Sequence, residues 1–323
     1  MAMKRFVRLL TAGLLSALMS VNMLAFMQAR AMTNFAGTGE RTRRPDQLSL
    51  LDRLAVILSG VNIPRPRIGS TPRDINLPFE THRFASGDGV TLEAWYIPGD
   101  KDRPLVVLFH GYVASKSTLL SAARAFHDLG YATLLMDFYG SGGSSGSGTT
   151  IGVKEADDVS ATVDYVRRLW PSRRIVLYGI SMGGAAVLRA IAAKGVKPDA
   201  VILEATFDRL LNAGRNRFRL MKLPGSPFAE LLLFWGSLQH GFNFFSHNPI
   251  DYALSVHCPT LVLHGEKDQR ATLEQARGIA RAIGAKARFV GYSDVPHMSI
   301  VEARGDDWRR DVQTFLQQFQ LHG

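Results

Sequence analysis

The sequence predicts an α/β protein with a mostly parallel, eight-stranded sheet and helices on both faces. Short apolar runs of strand length alternate with longer segments of helical periodicity over about 245 residues. Several of these apolar runs end in polar residues, and open parallel sheets bind their ligands at the carboxyl ends of the strands. A hydrophobic content of 46% and a charged content of 20% are typical of a folded chain, and the length suits one large domain.

The strands are predicted in order along the chain. The first two, residues 81–85 and 90–97, flank an Asp88-Gly89 pair that is typical of a hairpin turn. The other six are expected to run parallel, at residues 105–109, 131–137, 174–178, 200–203, 260–264 and 288–292. Helices are predicted at residues 117–129, 153–169, 185–193, 273–283 and 306–321.

The first 31 residues form a separate segment with two interpretations. Three basic residues precede residues 9–27, an uncharged run of 19 residues that is close to the length of a membrane-spanning helix. Ala29-Arg30-Ala31 also has the small-x-small pattern of a signal-peptide cleavage site. We favour a retained membrane anchor, with a protein secreted after cleavage as the alternative. In both cases the charged terminus stays in the cytoplasm and the rest of the chain is exported.

Residues 32–76 are predicted to be a linker with an amphipathic helix, leading to the large domain at residues 77–323. Apolar side chains recur there at helical spacing, at Leu48, Leu51, Leu54, Ala55 and Leu58. We expect this helix to dock on the large domain. The alternative is a helix that lies in a membrane interface.

The chemistry is predicted from Gly179-Ile180-Ser181-Met182-Gly183, which lies between a predicted strand and a predicted helix. In a G-x-S-x-G turn the flanking glycines let the chain reverse sharply, so the hydroxyl of Ser181 projects from a strained turn. A serine held in this way can attack a carbonyl carbon if a base and an acid accompany it.

The chain offers both partners in the order serine, acid, histidine. Asp268 follows the strand at 260–264, and His297 follows the strand at 288–292. A neutral imidazole takes the serine proton, and the carboxylate orients the ring and stabilises the imidazolium. Glu204, at the end of the strand at 200–203, is the alternative acid.

A hole for the oxyanion is predicted from backbone N–H groups of Tyr112 and Met182. Tyr112 follows His110-Gly111 at the end of the strand at 105–109, where the glycine lets the backbone turn inward. His110 and His264 each precede a glycine at a strand end, and we interpret both as buried, hydrogen-bonded turn residues.

These motifs resemble those of the α/β-hydrolases, in particular the membrane-associated serine hydrolases with a serine-aminopeptidase-like catalytic domain. The resemblance covers residues 77–323 and rests on five motifs in order: His110-Gly111-Tyr112, residues 137–142, residues 179–183, residues 264–268 and Pro296-His297. It implies hydrolysis of an ester, thioester or amide. The family commonly carries arginine where this chain has Tyr139, so no role of that arginine is carried over.

The helix and strand alternation stops at residues 207–248, and we interpret this insertion as a cap over the site. It contains eight aromatic side chains: Phe207, Phe218, Phe228, Phe234, Trp235, Phe242, Phe244 and Phe245. An insertion at this point of the fold normally covers the pocket. We therefore expect an apolar acyl or lipid-like small-molecule substrate.

The net charge of +10 is concentrated outside the large domain. Residues 1–75 carry +7 and residues 76–323 carry +3, and residues 208–222 alone carry +4, so the rest of the large domain is slightly acidic. Basic charge beside an apolar terminus indicates an anionic membrane surface rather than a nucleic acid as partner. No oligomeric state is predicted.

The sequence also argues against cofactor and metal chemistry. The glycine-rich segment 140–148 lacks the Gly-Lys-Ser/Thr ending of a phosphate loop, and we interpret it as a flexible loop beside the site. Cys258, the single cysteine, excludes an internal disulfide and a cysteine pair for a metal. We expect no cofactor and no metal.

The predicted function is that of a serine hydrolase that cleaves carboxylic esters through an acyl-enzyme. A thioesterase or a serine peptidase with the same triad is the alternative within enzymes. A non-enzymatic binding protein on this fold is disfavoured because nucleophile, base, acid and both oxyanion positions are all present.

Overall fold

The computed structural model describes residues 2–43, 47–87 and 89–321. Residues 44–46 of the predicted linker, Asp88 of the predicted hairpin turn and the last two residues lie outside the described residues. The division of the chain at residues 31 and 76 stays a prediction.

In the described part of the chain, eight strands form one sheet in the order β1-β2-β4-β3-β5-β6-β7-β8. Their bounds are Glu80–Ala85, Thr91–Ile97, Asp100–Phe109, Tyr131–Asp137, Ile175–Ile180, Ala200–Glu204, Thr260–Gly265 and Ala287–Tyr292 for β1 to β8. β2 runs antiparallel to β1 and β4, and the other neighbouring pairs are parallel. The prediction of a mostly parallel, eight-stranded sheet is confirmed.

Eleven α-helices accompany the sheet within the described residues. Their bounds are Ala2–Thr33, Leu50–Ser59, Leu120–Asp128, Glu155–Leu169, Met182–Lys194, Leu210–Leu220, Phe228–His240, Pro249–Ala253, Leu273–Ile283, Ile300–Ala303 and Gly305–Leu321 for α1 to α11. The insertion at residues 207–248 contains α6 and α7, which form the helical cap.

The core lies on both faces of the sheet, as the alternation along β3 demonstrates. Leu105, Val107 and Phe109 pack in one apolar cluster with α4 and α5. Val106 and Leu108 pack in the other cluster with α3 and α11. All five side chains are fully buried, and each such burial contributes about 1.5–3 kcal/mol to folding. This continuous burial explains why the central strands appear in the sequence as uninterrupted apolar runs.

Helix α1 has two parts with different surroundings. Among the described helices, it alone is long and apolar enough to cross a membrane. Residues 3–21 are exposed, whereas Ala25, Ala29 and Thr33 are buried against the rest of the chain. The first part is therefore free of protein contacts, and the last part belongs to the packed structure.

Helix α2 does not dock by its apolar stripe. Leu48, just before the helix, is buried, but Leu51, Leu54 and Leu58 are more than half exposed. The Gln28 side chain of α1 donates to carbonyl oxygens in α2, so the contact is made by the helix backbone. The expectation of a docked apolar stripe is wrong, because the large domain offers these leucines no apolar surface.

The glycine-rich segment 140–148 is held by hydrogen bonds. The Gly143 N–H donates to the Asp137 carboxylate at 2.8 Å, and the Ser144 hydroxyl donates to the Asp137 carbonyl at 2.6 Å. The Arg65 guanidinium donates to the Gly146 carbonyl at 2.9 Å. The composition of this segment predicts a flexible loop. These hydrogen bonds instead fix it to the neighbouring residues.

Candidate active site

Ser181 lies in a tight turn between β5 and α5. Its backbone has φ 52° and ψ −111°, a region that residues other than glycine rarely adopt. A Cβ atom at Gly179 would lie 2.6 Å from a backbone nitrogen of α5, and one at Gly183 would lie 2.4 Å from the Phe109 carbonyl oxygen. Both positions therefore require glycine. The turn passes directly into α5, which begins at Met182, three residues before the predicted start.

His297 and Asp268 lie in hydrogen-bond contact although they are 29 residues apart. His297 Nδ1 is 2.6 Å from Asp268 Oδ2. The other carboxylate oxygen accepts the backbone N–H groups of Arg270 and Ala271 at 2.7 and 3.0 Å. The Asp268 side chain is fully buried, and the His297 ring is 21% exposed. Because a carboxylate accepts from Nδ1–H, Nε2 of this ring is left to accept a proton.

Glu204, the alternative acid, is engaged elsewhere. Its buried carboxylate accepts hydrogen bonds from the Tyr178 hydroxyl at 2.6 Å, the Ile300 backbone N–H at 2.8 Å and the Trp308 indole at 3.2 Å. Burial raises the pKa of this carboxyl. These contacts connect β6 to α10 and α11, so the carboxylate joins the sheet to the C-terminal helices.

His110 and His264 are buried and hydrogen-bonded. His110 bonds to the Gly111 carbonyl at 2.8 Å through Nδ1 and accepts the Phe138 N–H at 3.1 Å through Nε2. His264 Nε2 bonds to the Ala271 carbonyl at 2.9 Å. Burial lowers the pKa of both rings. Their hydrogen bonds orient the loops that carry the candidate site, and His264 Nε2 also lies 4.0 Å from the Asp268 oxygen that contacts His297.

The two predicted oxyanion positions lie at the elbow. Met182 begins α5, and the first N–H groups of a helix have no acceptor within the helix. The loop after β3 touches the elbow, since a Cβ atom at Gly111 would lie 3.7 Å from Ser181 Cβ. Within the described residues, the backbone N–H groups of Tyr112 and Met182 donate to no other protein group. Both residues line the cavity described next.

Ser181 and His297 line one cavity of about 940 Å³. Part of its wall is apolar and comes from the cap, from Phe207, Leu210, Leu233 and Phe244. Another part comes from the end of α1, through Ala29, Met32 and Thr33. The Tyr112 hydroxyl donates to the Met32 carbonyl at 2.5 Å. The sequence analysis did not predict this contribution of α1. Its only signal was two polar amide side chains, Asn22 within the apolar run and Gln28 directly after it.

Strained backbone is concentrated around this cavity. Six residues other than glycine have a positive φ in the described part of the chain, and four of them line the cavity: Val113, Ile151, Ser181 and Ala205. Such conformations cost about 1–3 kcal/mol each and are typical of functional sites. The described residues contain no group of three or more His, Cys, Asp or Glu side chains arranged to hold a metal.

Comparison with known proteins agrees with this geometry. Residues 100–254 match the family model described as serine aminopeptidase, S33. The matched residues contain the loop after β3, the elbow and the cap. They belong to the eight-stranded sheet described above and to its insertion. The chain has the α/β-hydrolase fold.

The chain is similar to curated proteins in sequence and to solved structures in fold. An uncharacterised protein of Mycobacterium tuberculosis is 29% identical over 215 residues, which are 65% of this chain and 69% of that protein. The α/β-hydrolase domain-containing protein WAV2 of Arabidopsis thaliana is 26% identical over 263 residues, 77% of this chain and 82% of its own. A Pyrococcus furiosus esterase has a similar fold, with a TM-score of 0.66 at 24% identity, and the alignment covers 80% of this chain and 99% of the esterase.

Proposed function

We propose that this α/β-hydrolase is a serine hydrolase that cleaves carboxylic esters of an acyl or lipid-like substrate through Ser181, His297 and Asp268. The observation that carries the proposal is the 2.6 Å contact between His297 Nδ1 and Asp268 Oδ2, with His297 on the cavity that the Ser181 elbow also lines. Nucleophile, base and orienting acid are the three components of acyl transfer by serine.

The reaction follows from these roles. His297 Nε2 accepts the Ser181 hydroxyl proton as Oγ attacks the ester carbonyl carbon. The backbone N–H groups of Tyr112 and Met182 stabilise the oxyanion, a contribution of roughly 10²–10³ in rate for each donor. The alcohol leaves with the proton from His297, and an acyl-enzyme is formed. Water then attacks the acyl group with His297 again as base, which releases the acid.

The apolar wall of the cavity favours an acyl substrate. A volume of about 940 Å³ lies within the ordinary range for small-molecule sites. Phe207, Leu233 and Phe244 offer hydrocarbon surface rather than hydrogen-bond partners, which suits an acyl chain better than a peptide. Thioesters and amides are the alternative substrates of the same triad.

We propose in addition that α1 is a retained membrane anchor. The uncharged run at residues 9–27 is ~28 Å long as a helix, close to the thickness of a bilayer core. Lys4, Arg5 and Arg8 precede it, which predicts that the N-terminus is cytoplasmic and the catalytic domain exported. Cleavage after Ala31 would remove Ala29 and with it part of the cavity wall.

The contacts and the exposed apolar side chains of the cap also support a location at the membrane. The last residues of the uncharged run pack against α7, so α7 enters the bilayer margin with them. Phe234 and Leu238 on α7 are 47% and 61% exposed, and Leu51 on α2 is 79% exposed. Met32, on the cavity wall, is five residues beyond Met27, or ~8 Å along the helix. A cavity so close to the bilayer suits a substrate drawn from it.

The proposed chemistry is tested by labelling with a fluorophosphonate and by ester turnover. Ser181→Ala should abolish labelling and lower turnover by several orders of magnitude. Ser299→Ala is the control, because Ser299 also lines the cavity but lies outside the elbow, and its labelling should persist. Labelling that survives in Ser181→Ala would contradict the proposal. The turnover of oxygen esters, thioesters and amides that carry the same acyl chain then ranks the three substrate classes.

A further inference from the structure

Helix α6 carries three arginines with different surroundings. Arg215 pairs with Glu230, with Nε at 3.0 Å from the carboxylate. Arg219 is exposed and donates to the Asn216 side chain at 3.0 Å. Arg217 instead lies on the helix face that lines the cavity, with Leu210, Ala213 and Gly214. Arg217 is thus the one cationic side chain on a helix face whose other cavity-lining residues are apolar.

Arg217 has no counter-charge among the residues that the structure describes. Within the described residues, its guanidinium forms neither an ion pair nor a hydrogen bond. Asp268 is engaged by His297 and by backbone N–H groups, and Glu302, which also lines the cavity, accepts from the Ser121 hydroxyl at 3.0 Å. Burial raises the pKa of the neighbouring Tyr112 to about 12, so this phenol stays neutral and supplies no negative charge.

The surroundings add positive rather than negative charge. Arg270 and Arg41 line the same cavity and contribute to the potential at Arg217. Burial lowers the pKa of Arg217, the Tyr112 phenol partly opposes this shift, and the two neighbouring cations add to it. A cation that is partly removed from water and faces other cations is destabilising unless an anion compensates it. No group in the described part of the chain does so, which leaves this role to a ligand.

We propose that Arg217 binds an anionic group of the substrate, so that the preferred ester is an amphiphile carrying a phosphate or carboxylate. The planar guanidinium binds either group by two parallel hydrogen bonds. The apolar cap wall takes the acyl chain, Ser181 faces the ester, and the cationic side of the cavity takes the charge. This inference rests on the proposed hydrolase function for its kinetic consequences, but not for binding.

The kinetic test compares dodecanoyl esters of glycerol, glycerol 3-phosphate and glyceric acid. In the wild-type protein, kcat/KM for an anionic ester should exceed that for the glycerol ester by about tenfold or more. Arg217→Met should reduce this ratio about tenfold, Arg217→Lys should restore part of it, and Arg219→Met should leave it unchanged. The phosphate and glycerate arms identify the anionic group. A wild-type ratio near one, or a ratio unchanged in Arg217→Met, would overturn the proposal.

A binding test separates this inference from the proposed chemistry. Hexyl phosphate, hexanoate and hexanol are titrated into full-length Ser181→Ala protein in non-ionic detergent by calorimetry. An anionic ligand should bind, and adding Arg217→Met should weaken it about tenfold, whereas adding Arg219→Met should not. Anion binding that is insensitive to Arg217 would overturn the inference. If the wild-type protein neither labels at Ser181 nor hydrolyses any ester, the hydrolase proposal fails. Arg217-dependent binding in the Ser181→Ala background would still support the anion site.

Discussion

Trp235 in the cap donates its indole N–H to the Asn22 side-chain oxygen in α1, at 3.2 Å. Phe26 packs edge-on against the same indole, with ring centroids 5.5 Å apart, and the Gln239 side chain donates to the Phe26 carbonyl at 2.9 Å. The cap and the end of α1 therefore form one packed unit. Helix α1 therefore forms part of the wall of the cavity that Ser181 and His297 also line.

Removal of residues 1–31 should change substrate selection more than chemistry. Such a chain retains Ser181, Asp268 and His297, so fluorophosphonate labelling should persist. It loses Ala29 and the α1 support of the cap, so kcat/KM for dodecanoyl esters should fall about tenfold relative to that for acetyl esters. Full-length Trp235→Phe, which removes one hydrogen bond, is the control and should change the ratio little. If removal of residues 1–31 leaves the ratio of kcat/KM for dodecanoyl and acetyl esters unchanged, α1 does not contribute to binding of the acyl chain.

The full-length protein should remain in membranes. Residues 9–27 supply enough apolar length to span a bilayer, so extraction with high salt or carbonate should fail. N-terminal sequencing of the mature protein should give Met1 or Ala2. A mature chain that begins at Met32 would mean that residues 29–31 are cleaved and that the anchor proposal is wrong.

Two substitutions distinguish the candidate acids. Asp268→Asn should lower kcat by about 10³–10⁴, because an amide neither fixes the required tautomer of His297 nor stabilises its cation. Glu204→Gln should have a far smaller effect on kcat and should mainly lower stability, since its partners are Tyr178 and the C-terminal helices. Steady-state kinetics and urea unfolding measure the two effects. The opposite ranking in kcat would assign the catalytic role to Glu204.

The stability of the protein should depend on pH through Asp158 in α4. This carboxyl accepts the Ser86 hydroxyl and the Tyr139 N–H, each at 2.9 Å, and burial raises its pKa to about 7. An unfolded chain has an aspartate pKa of about 3.9. Between these values the folded state holds the extra proton, so this group's contribution to stability is lost as pH rises from about 4 to 7.

Asp158→Asn removes this titration and keeps one oxygen, which can accept the Tyr139 N–H, while the Ser86 hydroxyl can accept from the new amide NH2. The free energy of unfolding of the variant minus that of the wild type should therefore be larger at pH 8 than at pH 5, so the variant is relatively more stable at pH 8. Urea denaturation at the two pH values measures the difference. Asp164→Asn is the control, since Asp164 lies on the exposed side of the same helix. Equal differences at both pH values would show that Asp158 does not titrate in this way.

Local patterns were sufficient for most of the fold. The apolar runs at β3 to β8 predicted the strands to within a few residues, apart from the longer exposed start of β3, because both faces of β3 to β7 are buried and β8 is partly buried. The Ser181 turn was also predictable, since its glycines are required by contacts within the strand–turn–helix unit and with the neighbouring β3. The start of α5 was missed because two glycines in its first turn hide the helical periodicity.

The amino-acid sequence by itself determined the sheet, the elbow and a short set of candidate partners for Ser181, because these depend on burial and on residues close together in the chain. Only the tertiary structure decided that His297 contacts Asp268 while Glu204 contacts Trp308. It also decided that Arg217 and the end of α1 meet at one cavity. Contacts between distant segments depend on how helices pack around the sheet, and periodicity along one segment carries no information about its partner.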